Sequence, residues 1–102
     1  MDAEQTKTIE LLAQGDGKVF DQLVAIHNQM TSDHQAMIVR LNAKEIKPKD
    51  AADHINQSLL SMLNKMASIV GKDLVEEVFG IPIDQPFQLV DPELMEEAEN
   101  EQ

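Results

Sequence analysis

No cysteine, tryptophan or tyrosine occurs in this chain of 102 residues. Without cysteine there can be no disulfide, no thiolate metal site and no thiol nucleophile. The redox compartment stays open, because such a chain survives equally well in cytosol and periplasm. Aromatics are limited to Phe20, Phe79 and Phe87, so the core must be built from Leu, Ile, Val and six Met. That palette suits helices better than a sheet, which draws on β-branched and aromatic side chains. No apolar run approaches the ~20 residues of a membrane span, and no basic-then-apolar export signal opens the sequence, so membrane insertion is not expected. Cations are also scarce: 8 Lys and Arg stand against 19 Asp and Glu, a net charge of −11. Nucleic acid and anionic membranes are disfavoured as partners by that balance.

The acidity is concentrated at one end. Residues 91–102 hold six acids (Asp91, Glu93, Glu96, Glu97, Glu99 and Glu101) and no base, which leaves thirteen acids against eight bases in the rest. A like-charge segment of this kind reads as a solvated, irregular tail. The expected organisation is a helical domain over 1–80, an apolar arm with prolines over 81–90, and an acidic, disordered tail over 91–102.

What is present has helical periodicity. Asp2 and Gln5 have the spacing of a capping box, in which each side chain satisfies the other's backbone N–H. Ile9 and Leu12 follow on one face, and Gly15-Asp16-Gly17 ends the segment. A second helix is expected over about 18–42. Its stripe of Phe20, Leu23, His27, Met30, His34, Met37 and Leu41 alternates spacings of three and four, flanked by Val24, Ile26 and Ile38. Pro48 suits the first turn of a third helix, over about 48–70. Ala52, Ile55, Leu59, Met62, Met66 and Ile69 form its stripe, widened by Leu60 and Leu63. Two heptad helices joined by a short loop pack antiparallel. With the turn near residue 46, facing positions should sum to about 92. Gly71 stops the third helix, and Asp73 with Glu76 predicts a capping box for a short fourth helix over 74–79. Leu74, Val75, Val78 and Phe79 would then cover the open end of the hairpin. The fold class is therefore all-α: an antiparallel helical hairpin with short flanking helices and an irregular acidic tail. Along the arm, Ile83, Phe87 and Leu89 are placed to dock on the hairpin or on a partner.

Catalytic chemistry has little to stand on. No Ser lies in a GxSxG turn, Gly15-Asp16-Gly17-Lys18 lacks the spacing of a phosphate-cradling loop, and no carboxylate pair stands out. A binding protein is expected rather than an enzyme, with no catalytic residues. Two constellations remain. The first is the His and Met of the seam, which suit soft or borderline metals such as Ni, Cu or Zn. His27 and His34 lie two turns apart, about 10 Å, too far for one ion. His34, Met37 and His54, brought together by the hairpin register, could form a site. The plainer reading is that the histidines are polar seam residues and the methionines are packing. The second constellation is Arg40, Lys44, Lys47 and Lys49, half of the chain's cations within ten residues at the hairpin tip. They read either as solvated charges complementing a helix C-terminus or as a contact for an acidic partner or a second subunit.

A capped start ending in Gln5, a long hairpin, and a turn before a short closing helix together resemble the Spy/CpxP class of small bacterial envelope proteins over about residues 2–80. The class carries a Leu-Thr-x-x-Gln motif twice. Met1-Asp2-Ala3-Glu4-Gln5 keeps the Gln with Asp in place of Thr, and Val70-Gly71-Lys72-Asp73-Leu74 keeps neither. The resemblance implies a periplasmic, dimeric, protein-binding role in envelope stress or metal response, for a chain whose export signal has been removed. A cytoplasmic adaptor or regulator serving one protein partner is the alternative, and a metal-binding protein using the hairpin's His and Met is a second.

Overall fold

The computed structural model describes residues 1–84. Four helices follow one another: α1 (Ala3–Ala13), α2 (Gly17–Asn42), α3 (Pro48–Val70) and α4 (Lys72–Phe79). No strand occurs among the described residues, and no helix among them is long and apolar enough to cross a membrane. The acidic tail and the outer part of the arm, with Phe87 and Leu89, lie outside the described residues.

Local chemistry accounts for most of the boundaries. At the start of α1, Asp2 Oδ1 accepts the Gln5 N–H at 2.8 Å and Gln5 Oε1 accepts the Asp2 N–H at 3.1 Å, the capping box expected from the sequence. The chain leaves α1 through two left-handed residues, Gln14 (φ 49) and Gly15 (φ 83). Asp16 then caps α2, accepting the N–H groups of Lys18 and Val19. Pro48 takes the first position of α3, where its missing N–H costs nothing.

The fourth helix corrects the sequence reading. Gly71, at φ 99, closes α3 and opens α4 at once, so α4 begins at Lys72 and Asp73 already lies inside its first turn. The Asp73/Glu76 capping box therefore does not form. The Glu76 carboxylate instead accepts the Ile83 N–H at 2.9 Å and pairs with Lys72 at 3.4 Å. Ile83 is buried in the core, which removes it from any partner-binding surface. Pro82 prevents helix there but does not stop an extended residue from packing inward.

Among the four helices, α2 and α3 share the longest interface, and the register of their hairpin follows expectation. Asp33 meets Ser58 across the seam at 3.5 Å, and Met30 shares a hollow with Met62. Ile9, Leu12 and Ala13 of α1, Leu23 of α2, Met62, Leu63 and Met66 of α3, Val75 of α4 and Ile83 form one cluster at the open end. α1 and α4 close over that end only. Two apolar positions fail to bury: Ile38, which flanks the α2 stripe, is 49% exposed, and Ile69, of the α3 stripe, 38%. A two-helix seam covers a narrow stripe, and Ile38 lies off its centre while Ile69 sits in the last turn of α3. Ala51 and Asn56, which the sequence did not single out, are buried instead.

Candidate functional site

The seam histidines arise from heptad placement: His27 and His34 fall on the line that faces α3. His27 is 8% exposed, and its Nδ1 is enclosed with no hydrogen-bond partner. His34 is half-buried, and its Nε2 is likewise enclosed and unpartnered. Leaving such atoms unsatisfied costs about 1–3 kcal/mol each, so the seam carries polar groups that packing alone does not explain. Further along, Met37 and His54 face each other as the register requires. They line a hollow of about 310 Å³ with Asp33, Ala36, Gln57 and Ser58. His34 is not part of that wall. Of the three residues considered as metal ligands, the fold thus brings two together and leaves the third in the seam. Asp33 is engaged there with Gln29 at 3.0 Å and with Ser58. Among the described residues no three His, Asp or Glu side chains gather to hold an ion.

The tip is built by the way α2 ends. The N–H of Lys44 reaches the carbonyl of Leu41 at 3.1 Å, and the N–H of Glu45 reaches that of Arg40 at 2.9 Å. Those are the two bonds of a Schellman motif. Its left-handed position, normally given to glycine, is held here by Lys44 at φ 60. A left-handed backbone costs an L-residue roughly 1–2 kcal/mol, so a cation stands at the tip in spite of its conformation. The turn that follows lays Leu41, Ile46 and Pro48, all half-buried, along the floor of a hollow of about 780 Å³. Lys44 and Lys47 stand at its rim, with Asn42 and Glu45 completing the wall.

Charge at the tip is only partly committed. Glu45 turns toward Arg40, whose Nε lies 4.0 Å from its carboxylate. An exposed pair at that distance contributes little. Lys44 and Lys47 form no ion pair among the described residues. A second hollow shares Glu45, Ile46 and Lys47 with the first and is lined also by Arg40, Asp50 and Asp53, so its charge is mixed. The opposite end of the molecule differs. There Lys72 bridges Glu76 and Asp84, the latter at 3.1 Å. Its hydrogen bond to Asp84 holds the Lys72 ammonium above its ordinary pKa, and the same bond holds the Asp84 carboxyl below its own.

Sequence reasoning found the four cations but missed the apolar floor beneath two of them. Ile46, alone among charged neighbours in a loop, was the available signal. No family model matches the chain, and neither a curated protein nor a solved structure does.

Proposed function

We propose that the chain is a helical protein-binding module that takes an acidic, apolar-containing segment of a protein partner at its hairpin tip. One observation carries this reading: an apolar floor of Leu41, Ile46 and Pro48 rimmed by Lys44 and Lys47, with Lys44 kept in a backbone conformation that favours glycine. Apolar contact supplies affinity in such a site, and the lysines select against cationic segments. Residues 40–50 carry four cations against two acids, while residues 1–39 and 51–84 carry four against eleven. An acidic ligand is thus steered to one end of the molecule.

The setting belongs to the same proposal. A periplasmic, homodimeric protein of envelope stress or metal response, as the Spy/CpxP resemblance implies, would use the tip in this way. So would a cytoplasmic adaptor with a single partner. Exposed Ile38 and Val39 beside the tip support self-association, which light scattering of the full chain tests directly. For the tip itself, fluorescence anisotropy with a labelled Glu- and Leu-rich peptide is the test. Binding should weaken at least tenfold in the K44E/K47E variant and fall with added salt. Unchanged binding in that variant rules out the tip.

A second reading, metal binding, is supported by the facing pair Met37 and His54 and by the unpartnered His34 Nε2. Calorimetry with Ni(II), Cu(II) or Zn(II) should then show binding that H54A abolishes. Binding that survives H34A and H54A excludes the site.

A further inference from the structure

We propose that the tip of one molecule docks on the opposite end of a second copy of this chain, where α1 turns into α2. This rests on the reading that the tip takes acidic, apolar-containing segments, and it names the chain itself as a partner.

That far end is the chemical counterpart of the tip. Glu10, Ala13, Gly15, Asp16, Gly17 and Phe20 line a hollow of about 290 Å³ there. Its wall combines a buried alanine and a half-buried phenylalanine with two carboxylates. Several features suit it to a cation. Glu10 forms no ion pair among the described residues. Asp16 caps α2 through Oδ1 alone, which leaves Oδ2 to accept a further bond. The last turn of α1 holds no base, so nothing in it offsets the negative carbonyl end of that helix. A phenyl ring adds attraction for an ammonium group. Next to Glu10, Leu11 is 56% exposed, a large apolar side chain with no cover.

The two ends complement each other in charge and in apolar contact. Leu11 of one copy meets the floor of Leu41, Ile46 and Pro48 on the next, while Lys44 and Lys47 meet Glu10 and Asp16. A single molecule cannot make this contact with itself, because the 26 residues of α2 hold its ends about 39 Å apart. The joined patches differ, so each added copy leaves one tip and one base free, and association is open-ended. The described chain measures 48 × 25 × 21 Å across its Cα atoms, which limits an end-on contact to about 400 Å² per copy. A total of about 800 Å² belongs to weak, transient interfaces. The expected affinity is roughly 0.1–0.3 mM, so the chain is mostly single below about 0.05 mM.

Sedimentation equilibrium of the full chain at low salt, up to about 1 mM, tests this. K44E/K47E disables the tip. E10Q/L11Q/D16N disables the base, and asparagine at position 16 still caps α2. The native chain should grow past two copies with concentration and return toward one in high salt. Each variant alone should stay at one chain. Their equimolar mixture restores one native tip and one native base, so it should pair and stop at two. A native chain that stays single, or that stops at two, overturns the inference. So does association undiminished in E10Q/L11Q/D16N, which puts another surface on the tip, and so does a mixture that fails to pair. In all of these cases the tip reading stands if the Glu- and Leu-rich peptide binds the native chain and not K44E/K47E. It falls as well if that peptide binds neither.

Discussion

At its open end the hairpin is covered by α1 and α4, and large side chains such as Leu23, Leu63, Met66 and Val75 are buried to 1% exposure or less. Toward its tip the same two helices stand alone. The fully buried residues there are Ala51 and Ala52, and Ile38 and Val39 remain 49% and 66% exposed. Burying a Leu or Met contributes about 1.5–3 kcal/mol, and an alanine methyl only a fraction of that. Stability is thus concentrated at one end, while the other end carries half of the chain's cations, the left-handed lysine and the hollows of about 610 and 780 Å³. Regions with few buried apolar contacts open most readily, and binding surfaces are commonly drawn from them. The difference between the ends is what makes the tip the better place to look for function.

The comparison breaks first under core truncation. Leu63→Ala should cost about 3 kcal/mol in urea unfolding, against about 1 kcal/mol for Leu41→Ala at the tip. Similar losses at both would mean that the tip is as tightly packed as the base. Next in size is Ala52→Leu. If the helices approach closely because their contact near the tip is small, the added bulk should cost about 2 kcal/mol, and a neutral outcome would show a gap there instead. Of smaller effect, His27→Leu should stabilise by about 1 kcal/mol, since it removes an enclosed nitrogen that has no partner. Destabilisation would reveal a partner to that ring.

Lys44→Gly sharpens the contrast differently. Relief of the left-handed backbone should raise stability by up to about 1 kcal/mol while weakening acidic-peptide binding several-fold. A gain of stability with undiminished binding would separate the lysine from the site.

The smallest effect is expected for Asp84→Asn. Asp84 titrates below its ordinary value of 3.8, so the contribution of its pair with Lys72 is present above that pH and is lost as pH falls through the lowered value. Lys72 titrates above 10.5, so its share is present below that pH and is lost as pH rises through the raised value. Melting temperatures of the native chain and D84N should therefore differ slightly at neutral pH and converge in strong acid. Both groups are exposed, so salt should narrow the gap as well.

Much of the fold was legible because short signals coincide with the periodicity. Pro48 and Gly71 bracket a heptad run, which fixed α3 to the residue, and Asp2 with Gln5 fixed the start of α1. The register followed from the loop position alone. What escaped depends on three-dimensional closure. Gly71 joins α3 to α4 in a single residue, which a capping pattern at Asp73 does not foretell. Burial of Ile83 needs the open end of the hairpin to lie beside it. Nothing in Ala43-Lys44-Glu45 signals a left-handed residue, because the usual glycine or asparagine is missing. The site was legible as a cluster of charge, but its apolar floor appears only once Leu41, Ile46 and Pro48 are folded around the loop.

The most direct test of the two-ended account is backbone amide chemical-shift mapping of the full chain, titrated with the Glu- and Leu-rich peptide at low salt. The account predicts shifts confined to residues 40–50 and their neighbours across the seam, with α1, α4 and the base of the hairpin unmoved. Shifts centred on the α1–α4 end, or spread evenly along the chain, would contradict it.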